Sequence, residues 1–258
     1  MPIDYQFAHW KKKFRWRGAV TFLFASIALF GFLGSTNQFF VSNTYYSVKN
    51  SLDDWNRAPS SVSEKDVEIA LIKIEGVIDK APNNALYYQL QGQLFEWLHF
   101  STNLASDLET VTKANNEPDE LHRAMLSYKK SLKLRPNWSG GWIGLASVKW
   151  KLGELDDEFY KYVDTAVSVG PQDAIVHRFI AEFGITMYVN RSVHYAKILK
   201  QLRRHLDLGI KNPLSRKSIL KLISENRLNE PACRWLVPST FAVSTGLLNC
   251  SQNYELNF

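Results

Sequence analysis

Few residues in this chain are of a type that could bind a metal or carry redox or nucleophilic chemistry. There are six histidines, His9, His99, His122, His177, His194 and His205, and two cysteines, Cys233 and Cys250. Zinc sites legible in a sequence follow a few recognised ligand spacings, and none of the histidines pairs with another His, Cys, Asp or Glu at one of them. H-E-x-x-H, P-loop, G-x-G-x-x-G and G-x-S-x-G patterns are all missing. His177 falls at a core-facing helical position, which predicts a packed imidazole. The expectation is a protein with no catalytic residue, cofactor or metal.

Cys233 and Cys250 lie 17 residues apart and admit two readings. In an oxidising compartment they staple an otherwise loose tail, which stabilises by ~3 kcal/mol on a chain-entropy estimate. Otherwise Cys233 is buried beside Trp235 and Cys250 is a spare thiol.

The elements that would position these residues begin with a basic end. Lys11, Lys12, Lys13, Arg15 and Arg17 precede a window from Gly18 to Val48 that contains no charged residue. Its apolar heart, residues 18–34, is slightly short of a ~30 Å hydrocarbon core, and extension to Phe40 closes the gap. The positive-inside bias puts residues 1–17 in the cytoplasm, 18–40 in the membrane and the rest on the far side. A cleaved signal peptide fits less well, because no Ala-x-Ala-like site follows. Of the net charge of +6, the first 34 residues carry +4, so the basic excess is topogenic and nucleic acid is not an expected partner.

Beyond a linker at residues 41–64, in which Ser63 and Asp66 form a capping-box-like start, one pattern recurs. Ala70, Ile74 and Val77 lead to Pro82; Ala124, Tyr128 and Ser131 lead to Pro136; Phe159, Val163 and Ala166 lead to Pro171. A further helix follows each proline, carrying Tyr88, Gly92 and Phe95, then Trp142, Leu145 and Ala146, then His177, Ile180 and Ala181. Trp142 is expected to be a buried aromatic. Small residues let paired helices approach, and proline stops one helix so the next can fold back. The pattern resembles the tetratricopeptide repeat, and the expected fold is all-α: a transmembrane helix, then a helical-hairpin solenoid over residues 65–228. An insertion at residues 97–120 reads as a lengthened helix with a loop, and residues 229–258 as an irregular tail.

In that register the concave face is lined by Gln89, Gln93 and Glu96, then Ser147 and Trp150, then Arg178 and Glu182. Trp150 would anchor a docked peptide and Arg178 would grip a carboxylate. Charge is polarised: residues 49–190 carry −5 and residues 191–235 carry +8. Lys197, Lys200, Arg203 and Arg204 share one long helix whose basic face would suit anionic lipid, an acidic glycan or an acidic partner, or is simply solvated.

The segments Leu134-Arg135-Pro136-Asn137-Trp138 through Gly170-Pro171, and Cys233-Arg234-Trp235-Leu236-Val237-Pro238, resemble the VpsP-like proteins of bacterial exopolysaccharide gene clusters. That resemblance implies a single-pass inner-membrane protein with a periplasmic repeat domain, acting in exopolysaccharide biosynthesis or export. The function it leads to is a non-catalytic scaffold that binds components of a polysaccharide synthesis or export assembly. The alternative is a periplasmic assembly chaperone for cytochrome, pilus or secretion clients.

Overall fold

The computed structural model describes residues 3–106, 119–236, 246–248 and 250, with side chains there except at 3–19, 30–35, 37, 61 and 103–106. Helix is the only regular structure among them. The helices are α1 (Ile3–Trp55), α2 (Glu64–Lys80), α3 (Ala85–Ser106), α4 (Glu120–Leu134) and α5 (Ser139–Lys151). They continue with α6 (Asp157–Val169), α7 (Ala174–Val189), α8 (His194–Lys211), α9 (Pro213–Glu225) and α10 (Asn229–Trp235). The chain divides into two compact units, Met1–Ser61 with Ile72–Pro82, and Val62–Leu71 with Asn83–Phe258. The first copy of the repeat pattern, in which α2 precedes Pro82, is therefore split between them.

In the first unit, α1 is continuous over 53 residues, about 80 Å at ~1.5 Å per residue. Among the described residues no helix is long and apolar enough to cross a membrane. The side chains at 18, 19, 30–35 and 37 of the expected anchor lie outside those described. Phe22, Leu23, Phe24, Ile27 and Leu29, within it, are all exposed. The expected linker at 41–64 is helical in its first half, because α1 runs on to Trp55 before a turn and a short 3-10 helix at Pro59–Ser61. The reason is a stripe: Val41, Val48 and Leu52, spaced seven and four apart, lie on one helix face and are buried.

In the second unit, Ser63 opens α2 as a reciprocal cap. The Asp66 amide donates to Ser63 Oγ at 3.2 Å, and the Ser63 amide donates to Asp66 Oδ2 at 3.3 Å. Three further helices open on side-chain caps. Asn84 Oδ1 accepts from the Leu86 amide at 3.0 Å and Asp156 Oδ1 from the Phe159 amide at 2.9 Å. Asn212 Oδ1 does the same for the Leu214 amide, with Pro213 at the first helical position.

Helices α3 and α4, α5 and α6, and α7 and α8 pack as hairpins; α5 also contacts α3, α4 and α7, and α7 contacts α9. Adjacent hairpins are thus joined through their first helices, and α9 covers the end of the series. Close approach depends on two glycines that face one ring. A Cβ on Gly92 would stand 2.8 Å from Tyr128, and one on Gly144 2.5 Å from it. Tyr128 is thereby held between α3 and α5. Gly153, at φ +76°, turns the chain from α5 into α6, a left-handed conformation that a side chain would strain. Trp142 is half-buried rather than buried: its Nε1 donates to the Pro136 carbonyl at 2.8 Å and its ring leans on Tyr162 at 5.9 Å. It clasps the turn before α5 instead of filling the core.

The expected long helix in the insertion is present as α3, 22 residues long, whereas residues 107–118 lie outside those described. The tail departs from expectation at its start, where residues 229–235 form α10. Cys233 and Cys250 are joined by a disulfide with Cα atoms 5.6 Å apart. Leu248 is buried in the same cluster as Ile219, Ile223, Ala232 and Trp235. Reduction of the bond is expected to lower stability by ~3 kcal/mol. Chemical denaturation with and without dithiothreitol measures it, and coincident curves would show that the tail docks without the bond.

Candidate functional site: the face shared by α3, α5 and α7

The first helix of each hairpin contributes residues to one shared face, because α5 packs against both α3 and α7. The predicted face residues do occupy these three helices, but most of them are turned inward. Glu96 on α3 is the centre of the arrangement. It accepts hydrogen bonds from the Tyr128 hydroxyl, from Ser147 Oγ at 2.8 Å and from the Lys151 ammonium. One carboxylate therefore ties α3 to α4 and α5, and Ser147 is spent on that tie. Burial first, and then the Glu96 charge beside it, pushes the Tyr128 phenol well above its ordinary range, so the hydroxyl stays protonated and donating.

Gln89 is buried, with its amide where a Cβ on Gly140 would lie 2.8 Å from it. Trp150 is not a free anchor. Its ring meets Phe179 at 5.9 Å and Phe183 at 5.1 Å, both edge-on, and so fills the seam between α5 and α7. Gln93 is half-buried, and Arg178 and Glu182 are exposed on α7. The protein around Glu182 desolvates its carboxyl and raises its pKa, against the opposing pull of Lys151 and Arg178. The part of the face that reaches solvent is therefore charged, with Lys151, Arg178 and Glu182 exposed and Gln93 half-buried.

The basic face is present on α8. Lys197, Lys200, Arg203 and Arg204 are exposed, while Ile198, Leu202 and Leu206 of the same helix are buried. Lys197 also lies 4.9 Å over the Tyr160 ring, and the Tyr160 hydroxyl is 2.8 Å from His194 Nδ1. Packing thus accounts for part of that face.

Two polar groupings were missed by spacing rules. Lys149, nearly buried, donates to Glu154 at 3.0 Å, Asp156 at 2.9 Å and Glu158 at 3.0 Å. A signal was present: a lysine within an apolar helix, followed five, seven and nine residues on by three acids. His177 and His205 are both fully buried, and their Nδ1 atoms are 2.8 Å apart. One imidazole donates and the other accepts, so the pair holds opposite tautomers. Both Nε2 atoms are buried without a hydrogen-bond partner. No sequence rule links residues 28 apart on neighbouring helices. His177 is packed, as expected of a core-facing position, but it is packed against another histidine.

Compared with known proteins, the chain matches no family model and no curated protein.

Proposed function

We propose that this protein is a non-catalytic, membrane-anchored scaffold whose tetratricopeptide-like array binds a partner protein of an exopolysaccharide synthesis or export assembly in the periplasm. The observation that carries the reading is the array itself. Three hairpins are joined through their first helices, and Arg178, Glu182, Lys151 and Gln93 reach solvent on the face those helices share. Charges of both signs on a helical face suit a folded or helical partner of complementary charge, and give specificity more than raw affinity. The continuous α1 supports an anchor, since its charge-free window presents Phe22, Phe24 and Ile27 outward behind a cluster of five cations. Confinement to a membrane raises the effective concentration of a weakly bound partner. The VpsP-like resemblance supplies the polysaccharide context.

The test is photo-crosslinking in cells from positions 93 and 178, with captured proteins identified by mass spectrometry. Position 150 is a poor probe, because Trp150 is packed against α7. Capture of a glycan polymerase, transferase or export component is the expected result. Capture of cytochrome, pilus or secretion clients instead would make the protein an assembly chaperone.

A further inference from the structure

The seam between α3 and α4 brings His99 beside the first residues of α4, a meeting that no spacing rule predicts. His99 lies near the end of α3; Asp119 and Glu120 begin α4. One ligand atom from each of these three residues lies within 4.8 Å of the others. His99 Nδ1 is 3.7 Å from one Asp119 oxygen, and His122 Nδ1 is 3.9 Å from the other. These separations exceed a hydrogen bond, which for N–H···O spans about 2.7–3.2 Å. They approach the separation of two ligand atoms sharing one tetrahedral metal, roughly 3.3–3.6 Å for bonds of about 2.0–2.2 Å. Asp119 occupies the N-cap position of α4, yet its side chain caps no backbone amide. The usual role of an aspartate there is given up, and its two oxygens face two imidazoles instead.

We propose that His99, Asp119 and Glu120, with His122 alongside, form a binding site for a divalent transition-metal cation of the zinc class. Imidazole nitrogen with carboxylate oxygen is a donor set suited to zinc and its neighbours, whereas calcium and magnesium select oxygen alone. The three residues are partly open to solvent, so water completes the coordination and the cation exchanges with the surroundings. Its role is a clip. Bound metal fastens the last turns of α3 to the first turn of α4 and so ties residue 99 to residue 119, and a clip across so long a separation in sequence is the kind that gains most. The Arg123 guanidinium stacked 4.2 Å over Phe95 marks the same α3–α4 seam.

Cobalt(II) added to the metal-free full chain in detergent, with visible absorption as the readout and zinc as competitor, tests the site. One equivalent is expected to give ligand-field bands that zinc abolishes. His99→Ala and Asp119→Asn should each weaken cobalt binding by more than about tenfold, since even outer-sphere partners of metal ligands cost that much. His194→Ala, on α8, should leave binding unchanged. Zinc should also raise the melting temperature of the parent and not that of Asp119→Asn, a near-isosteric change that preserves α4. Absence of cobalt bands from the parent, or bands that persist at the same affinity in His99→Ala, would overturn the proposal.

Discussion

Lys149→Met is expected to cost about 3 kcal/mol of folding stability, seen as a melting temperature lower by roughly 10 °C for a domain of this size. Lys149 is 3% exposed, and its ammonium donates to three carboxylates that belong to the turn and first residues of α6. Burial alone would lower its pKa; the hydrogen bonds it donates to Asp156, Glu158 and Glu154 outweigh that and hold it well above the ordinary lysine range. A charge-assisted hydrogen bond contributes about 1.5–3 kcal/mol where it is sheltered. The acids here are about half exposed, so they rehydrate when the lysine is lost, and three bonds do not add to their full sum. Methionine preserves the volume of the buried stem, which isolates the loss of the charge. Lys161→Met, at an exposed position of α6, should change stability by less than about 0.5 kcal/mol. Equal melting temperatures for Lys149→Met and the parent would show the cluster to be an ornament of the surface. The sign of its pH dependence follows from the direction of each shift. Asp156 and Glu158 are depressed, chiefly by hydrogen bonds from Lys149 and Tyr162 respectively. Their contribution is complete above the ordinary carboxylate pKa of about 4 and is lost as pH falls through their lower folded values. The lysine's raised pKa means its contribution is complete below about 10.4 and fades as pH rises past its folded value.

Acidification is expected to weaken the fold earlier, through His177 and His205. Burial lowers both; beyond that the neighbouring imidazole and Arg204 hold His205 down to about 4. Asp173 at the start of α7 pulls His177 upward but does not overcome its burial. Because the folded pKa values are depressed, the unfolded chain takes up protons first as pH drops through about 6.5. Stability from the neutral pair is complete above that value and is lost between it and the folded pKa near 4 for His205. At about 1.4 kcal/mol per unit, the shift of His205 alone amounts to ~3 kcal/mol, with about 2 kcal/mol of it gone by pH 5. Urea denaturation at pH 7 and pH 5 reads this directly. A His177→Leu/His205→Leu double variant removes both partners together, which avoids orphaning either one and costs little at pH 7. It should lose less than half as much stability on acidification as the parent. A double variant as acid-sensitive as the parent would place the sensitivity elsewhere, in carboxylates such as those around Lys149.

Much of the architecture was legible because it depends on short spacings. Pro82, Pro136 and Pro171 each fall between helices, and Ser63 with Asp66 caps α2 as its spacing implied. Asn212 and Pro213 open α9, Pro213–Glu225, with a side-chain cap and a proline at the first helical position. These are local events: a missing amide, a capping oxygen, an apolar stripe recurring every three or four residues. Exposure is less legible than helix position. Ideal helical spacing puts Gln89, Ser147 and Trp150 on an open face. In the structure α5 lies so close to α3 and α7 that they are consumed in the seams, while Arg178 and Glu182 stay exposed and Gln93 half-exposed.

What the sequence determined by itself is the succession of helices and turns, since each is decided by neighbours within about one helical turn. What only the tertiary structure decided is which polar groups meet. Glu96 finds Ser147 across 51 residues, His177 finds His205 across 28, and His99 finds Asp119 across 20. Such pairings depend on how deeply Gly92 and Gly144 let helices approach Tyr128, and on which of several acids the burial of one lysine recruits. Hydrogen bonding and coordination act over about 3 Å, a scale set by the packing of side chains from separate helices and by no periodicity within one of them.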